Sequence, residues 1–333
     1  MTRIGMTRSN QQKGGCTPQP SDLYHIPGDT GKAHRVDKFL EYAIGAPTIC
    51  HPTIIAYAKN HHWGEGEIVT ASFLHCLFYE ELTAISGVSR FGTDILPAIN
   101  WYDSHTPHTN PDKRRVVTMN QYPEAIQGWS RLTQGKPKEW MAQIQDRAEL
   151  RKQLFSVKNI GGFSIDLFEN CAYAAGYNLG ERYPEWNKTP QLAEGMYLIC
   201  YRDERAQEIH AGSTVTKEDV AWLDKKFEKL CDRMNRKHPG NPPEVWYTKL
   251  CSFTNLFHGS RYGGYHHDRQ LENLHWHMEH EPYDQNIWDE VFDIRKELWR
   301  NNLLGELHGW NGIRKERKKL WLEKGLTGVE YDS

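Results

Sequence analysis

Three groups of side chains in this sequence have the types and spacing to do chemistry. Glu80 and Glu81 stand together in Phe73-Leu-His-Cys-Leu-Phe-Tyr-Glu-Glu-Leu-Thr83, an otherwise apolar helical pattern. A carboxylate held among Phe73, Phe78 and Tyr79 has its pKa raised by burial and can act as a general base. Neighbours on a helix point about 100° apart, so one continuous helix turns at most one of the two inward. A helix edge facing water is the competing reading. Asp166 and Glu169 lie one turn apart on a common helical face, just past a glycine pair. They can activate an amine or water nucleophile, or simply complement a helix N-terminus.

The third group is the loop Arg261-Tyr-Gly-Gly-Tyr-His-His-Asp-Arg269. The guanidinium groups of Arg261 and Arg269 suit bidentate contacts to phosphate or pyrophosphate oxygens. Tyr262, Tyr265 and His267 offer faces on which a base can stack. Gly259, Gly263 and Gly264 let backbone approach a ligand closely, and two Arg among glycines are poor material for a core. The loop runs into a stretch rich in metal-ligand types: His266, His267, Asp268, Glu272, His275, His277, Glu279, His280 and Glu281. On a helix His275 and His277 point apart, and neither His-Glu-x-x-His nor a facial triad is present. A solvated polar face is therefore expected there, and no metal.

Other chemistry is excluded by spacing. In Gly28-Asp-Thr-Gly-Lys32 the glycines are too close for a P-loop, and Ala33 follows the lysine. No Gly-x-Gly-x-x-Gly follows a strand pattern. The chain thus has no ATP or dinucleotide motif, and no cofactor is expected. If it is an enzyme, its substrate or a separate cofactor brings the activation energy.

The elements that must position these groups centre on Leu154-Phe-Ser-Val-Lys-Asn-Ile-Gly-Gly-Phe-Ser-Ile165, which continues to Gly176. Two apolar-periodic pieces joined through Gly161 and Gly162 predict a helix-hairpin-helix. Gly161 is expected at positive φ, and Gly162 is expected to open the second helix. The N–H groups at that helix start can grip a phosphate, with Lys158, Asn159, Gly161 and Gly162 as the contact set. The same pattern suits a helix–glycine–helix corner in an ordinary core.

Helices are predicted around it: two over 33–60, the second starting near Pro52, and one from Gly66 to Ser86, closed by Gly87. Others follow from Tyr122 to Leu132, from Trp140 to Phe155 and from Leu192 to Tyr201. Thr216 and Asp219 form a capping-box-like start to an amphipathic helix reaching Met234. Further helices fit Val245 to Phe257, Gln270 to Glu279 and Asp284 to Leu304. Residues 88–120 read as loop. No strand pattern or internal repeat is found, so the expected class is mainly α. The expected division is an arm over 1–32, a helical domain over 33–310 and a basic tail over 311–333.

Composition bounds the partners. The 333 residues carry 41 Lys and Arg against 43 Asp and Glu, a net charge of −2. Nucleic-acid binding must therefore come from a local patch. The 12 Trp, 16 Tyr and 11 Phe let large aromatics carry the core of an otherwise polar chain. Seven cysteines without a Cys-x2-Cys pair suit reduced thiols in a cytoplasm. No apolar run is long enough to span a membrane, and the N-terminus does not read as a signal peptide.

Asn159-Ile-Gly-Gly-Phe-Ser-Ile165 resembles the Gly-Ile-Gly-x-Phe/Tyr-Thr-Ala hairpin of DNA-glycosylase-like proteins, with Asn in place of the first Gly. The aromatic helix Phe73–Thr83 and the Arg261–Arg269 loop are similar to motifs of one set within that group. These are the bacteriophage thymidine-hypermodification enzymes: amino acid:DNA transferases and α-glutamyl/putrescinyl thymine pyrophosphorylases. The resemblance covers roughly residues 35–310. It implies a DNA-glycosylase-like fold of two helical lobes around a central cleft. The implied partner is double-stranded DNA carrying phosphorylated 5-hydroxymethyluracil, and the implied location is the host cytoplasm. A free amino acid such as glycine, or a polyamine, displaces the (pyro)phosphate, and the product is a hypermodified thymine. Arg261 and Arg269 then hold the leaving group, and Glu80, Glu81 or Asp166 handles the proton of the amine. The catalytic Asp of base-excision glycosylases is not found past the hairpin, which argues against simple base excision. A glycosylase or lyase of the same fold and a non-catalytic helical DNA-binding protein are the alternatives.

Overall fold

The run beginning at Gly66 is apolar almost all round rather than along one stripe, and such a helix belongs inside a core. A computed structural model of the chain describes residues 35, 50–105, 121–180, 184–237, 246, 249–251, 253–254 and 284–300. Among them all regular structure is helical. The first helices are α1 (Cys50–Asn60), α2 (Glu65–Phe78), α3 (Glu81–Phe91) and α4 (Ala98–Ser104). They are followed by α5 (Tyr122–Thr133), α6 (Pro137–Ala142), α7 (Arg147–Phe155) and α8 (Gly162–Ala174). Then come α9 (Pro190–Ile199), α10 (Asp203–His210), α11 (Lys217–Lys237) and α12 (Gln285–Arg300).

Helix α2 is the hub. It is buried from Val69 to Phe78 and packs on α1, α3, α6 and α8. Thr70 and Ser72 return their hydroxyls to the carbonyls of Gly66 and Ile68, both at 2.8 Å, so neither is left unpaired inside. Aromatics fill the core as the composition suggests: Phe73 stacks on Trp129 at 4.4 Å, and Trp129 meets Trp140 edge-on at 5.1 Å.

The helix expected over Gly66–Ser86 is two helices. Tyr79 takes the left-handed conformation (φ 53°, ψ 33°) and closes α2 by donating its N–H to His75 O at 2.7 Å. Glu80 is extended and caps α3 by accepting from Leu82 N at 3.5 Å. No glycine or proline marks this break. Gly87 does not close a helix but lies inside α3, where a Cβ would sit 2.3 Å from the Tyr102 hydroxyl and 2.9 Å from Leu74 Cδ1. It is there for close approach. The helix expected over Trp140–Phe155 is likewise divided into α6 and α7, because Asp146 caps α7 by accepting from Glu149 N at 2.9 Å. Helix α4 falls in a stretch read as loop.

The stretch expected to form the hairpin carries two helices, α7 and α8, and Gly162 opens the second as expected. Its left-handed residue is Asn159 (φ 68°). Gly161 is extended (φ −106°, ψ 174°). Asn tolerates the left-handed region better than other residues with a Cβ, so Asn159 turns the chain and Gly161 need not.

The buried apolar residues from Ile54 to Leu179 form one cluster with Trp288 and Val291 of α12. Those from Trp186 to Phe253 lie outside it, and there α9 packs on α10 and α11. In that second group the capping box is formed as expected: Thr216 N donates to Asp219 Oδ2 at 2.8 Å, and Asp219 N to Thr216 Oγ1 at 3.2 Å. Arg35 joins the group through Leu198 O at 2.8 Å and through Asp203. The arm over 1–32, the tail over 311–333 and the helix expected over Gln270–Glu279 lie outside the described residues.

Two glycine substitutions separate packing from turn geometry. At Gly195 a Cβ would lie 2.6 Å from Leu250 O and 2.9 Å from Thr254 Oγ1. Gly195→Ala is expected to destabilise the protein by ~1–3 kcal/mol through overpacking. At Gly161 nothing lies within 4 Å of an added Cβ, so Gly161→Ala should change stability by less than about 1 kcal/mol. Urea denaturation of both variants checks the contrast.

Candidate functional site

The break at Tyr79 decides the position of the acid pair. Because α2 stops at Phe78 and α3 starts at Glu81 with Glu80 as its extended cap, Glu80 and Glu81 are not successive residues of one helix. Both side chains turn inward and are buried, where the helical pattern allowed one. Their counter-charge comes from the far end of the described chain. Arg295 of α12, fully buried, donates from Nε to Glu81 Oε1 at 2.5 Å and from NH2 to Glu80 Oε1 at 2.9 Å, and its NH2 also pairs with Glu81 Oε1.

Two carboxyls and one guanidinium out of water cannot all be charged without a net charge in the core. Burial pushes Glu80 well above the ordinary carboxyl range, and the neighbouring Glu81 pushes it further. Burial opposes ionisation of Glu81 as well, but Arg295 and the hydrogen bond from Glu80 outweigh it and hold Glu81 below the usual range. The two carboxyls are therefore driven apart, Glu80 upward and Glu81 downward, with Glu81 the closer charge partner of Arg295. Pairs of carboxyls whose environments drive their pKa values apart suit acid–base work.

Next to the pair lies a second buried set. His75 of α2, His51 of α1 and Cys171 of α8 bring ligand atoms within 4.8 Å of one another. His51 Nδ1 is 3.0 Å and His75 Nδ1 3.6 Å from Cys171 Sγ. Burial, with Arg295 adding to it against the pull of Glu81, depresses the His75 pKa to about 4, so its imidazole is neutral at pH 7. Burial also pushes the Cys171 thiol up, against a hydrogen bond from Ser72. Imidazoles and a thiol are metal-ligand types.

The other expected residues are placed as follows. Asp166 and Glu169 share a face of α8 and are engaged by α7. Arg151 NH1 donates to Asp166 at 2.8 Å and to Glu169 at 3.0 Å, while Arg147 Nε donates to both Glu169 oxygens at 3.2 Å. These carboxylates tie the hairpin together. Lys158 pairs with Glu124 of α5 at 2.7 Å. Asn159 donates to Glu124 at 3.0 Å and to Gln121 O at 3.1 Å. Gly161 caps α8 without a side-chain hydrogen bond. Tyr79 packs edge-on against Phe163, one residue into α8 from Gly162, with ring centroids 5.3 Å apart. Tyr79, the residue before Glu80, thereby links the acid pair to the first turn of α8.

Arg261, Tyr262, Tyr265, His267 and Arg269, and the histidine-rich stretch over 266–281, lie outside the described residues. Sequence reasoning passed over Arg295, His51, His75 and Cys171. A signal existed for two of them. Trp288, Val291 and Arg295 follow one helical face, so Arg295 is a charge on an apolar stripe. His75 is a polar ring inside the apolar run of α2.

The charge arrangement carries its own test. A raised folded-state pKa at Glu80 means that its contribution to stability is complete below the unfolded value of 4.5 and is lost as pH rises toward the folded pKa. Glu80→Gln removes that titration and keeps a neutral side chain of the same shape. The variant should gain on the wild type by up to about 1.4 kcal/mol per pH unit in that window, read as a growing difference in urea midpoint between pH 5 and pH 8. Arg295→Met should instead destabilise by ~3–5 kcal/mol at pH 7. Part of that loss should be regained at pH 5 as the second carboxyl protonates. Parallel pH profiles for all three proteins would contradict the raised Glu80 pKa. Comparison of the chain with protein-family models, with known proteins and with solved structures found no match.

Proposed function

We propose that this protein is a DNA-modifying transferase that replaces the (pyro)phosphate of 5-(pyro)phosphoryloxymethyluracil in DNA with an amine. The observation that carries this reading is the join between the buried acid pair and the hairpin, made by Tyr79 on Phe163. A helix start with uncapped N–H groups is suited to holding backbone phosphate. A carboxyl of raised pKa directly behind it is suited to taking the proton of an amine nucleophile.

In this reading the hairpin holds the strand while the modified base leaves the stack, at a cost of a few kcal/mol. Tyr79 and Phe163, both only half-buried, part to admit it. The amine nitrogen attacks the exocyclic methylene, the C–O bond to (pyro)phosphate breaks, and the amine proton passes to Glu80 in its ionised form. The resemblance gives the departing anion to Arg261 and Arg269. Glu80 is the better base than Asp166, since burial raises its pKa, whereas Asp166 is about one-third exposed beside Arg151. Lys158 and Asn159 exchange Glu124 for phosphate when DNA binds.

The direct experiment incubates the protein with duplex DNA containing phosphorylated or pyrophosphorylated 5-hydroxymethyluracil and glycine or a polyamine, followed by nucleoside digestion and mass spectrometry. A nucleoside bearing the amine is expected. Glu80→Gln, which preserves the fold, should lower its formation by about 10²–10⁴-fold while DNA affinity stays the same. Release of free base, or DNA bound but unchanged with either leaving group and every amine, would refute the transferase.

The hairpin has a separate test. Glu124→Gln should free Lys158 and Asn159, tighten DNA binding and steepen the slope of log affinity against log salt by about 1. An unchanged slope in a filter-binding titration would remove Lys158 from the interface.

A further inference from the structure

Among the described residues, the His51, His75 and Cys171 cluster stands out from the charge networks because it contains no cation to explain it. Its three members come from three helices, α1, α2 and α8, that also pack on one another. All are buried. His75 Nε2 has no hydrogen-bond partner among the described residues, and Nδ1 is the ring atom that faces Cys171.

The distances bear on what could fill the cluster. With Zn–S near 2.3 Å and Zn–N near 2.0 Å, tetrahedral geometry sets a ligand N···S separation of about 3.5 Å. His75 Nδ1 stands 3.6 Å from Cys171 Sγ, and His51 Nδ1 stands 3.0 Å from it. The first already has the separation of two ligands on one ion. The second is a hydrogen-bond distance that must open by about half an ångström. Glu81 acts electrostatically on both His75 and Cys171, with Arg295 opposing it at His75.

We propose that His51, His75 and Cys171 bind one Zn²⁺ ion that pins α8, the second helix of the hairpin, to α1 and α2. Binding forms a Zn–S bond and releases the Cys171 thiol proton to solvent, leaving two neutral imidazoles and a thiolate on the ion. The fourth position is left for water or a neighbouring oxygen. Complete burial of all three ligands assigns the ion a structural role. A histidine–cysteine–histidine hydrogen-bond chain without metal is the alternative.

Elemental analysis of the full-length protein, purified without chelator or a metal-affinity tag, should find close to one zinc per chain. X-ray absorption at the zinc edge should show one sulfur and two imidazole nitrogens as ligands. Exchange into Co²⁺ should give a thiolate-to-metal charge-transfer band, which Cys171→Ser should abolish. Stripping the metal should lower Tm. A protein that is metal-free as purified and gives no cobalt band overturns the site, as does zinc bound without sulfur. Zinc or the cobalt band retained at wild-type level by a folded Cys171→Ser variant also overturns it. If that variant does not fold, the ligand set seen by X-ray absorption on the wild type decides. None of these measurements involves DNA, so the site stands or falls independently of the transferase reading.

Discussion

The interaction on which the described structure depends is the buried contact of Arg295 with Glu80 and Glu81. Its members come from the beginning of α3 and from α12, 215 residues apart for the Arg295–Glu80 pair. All three are buried. An ion group of this kind is weak evidence for stability, because apolar residues of similar volume often serve as well or better. Once present, though, it is unforgiving: any one member alone is a charge in a dry core. The arrangement therefore fixes where α12 docks and drives the two carboxyl pKa values apart. A fold seeking stability alone has simpler solutions, which is a reason to give the acid pair a task.

That geometry originates in a local event. Tyr79 ends α2 in the left-handed region, and Glu80 starts α3 by capping it with its own carboxyl. A continuous helix would have turned one glutamate toward water and stranded Arg295 with a single partner. The break spends the unfavourable backbone conformation of a tyrosine to turn two carboxyls inward. It also points the Tyr79 ring at Phe163. Strained residues of this sort gather at functional sites more than elsewhere, and here the strain lies between the acid pair and the hairpin.

Much of the helical architecture is legible in the sequence, since periodicity and caps act locally. The helix at Tyr122 with Pro123 behind it, the Thr216–Asp219 capping box and the opening of α8 at Gly162 all follow from neighbouring residues. What was not legible depended on competition or on distance. The α2–α3 break has no glycine or proline; the capping carboxyl of Glu80 and the tertiary demand of Arg295 override an unbroken apolar pattern. Asp146 divides α6 from α7 in the same way. The left-handed turn falls to Asn159 rather than Gly161, because a glycine permits that conformation without requiring it. His51 and Cys171 meet across 120 residues, and no spacing rule reaches that far.

The hairpin's second helix shows why both buried networks matter to its tip. Glu169 and Cys171 are two residues apart on α8, which on an α-helix places them about 200° apart. One face is held by Arg147 and Arg151 from α7, and the opposite face by His51 and His75 from α1 and α2. A helix gripped on both faces has little freedom to rotate or slide, so its first turn is fixed in direction before any ligand arrives. Fixed donors bind an anion with less ordering cost than donors that must first be gathered. The first turn of α8 starts at Gly162 and carries Phe163, against which Tyr79 rests. That contact links the held helix to the residue next to the acid pair.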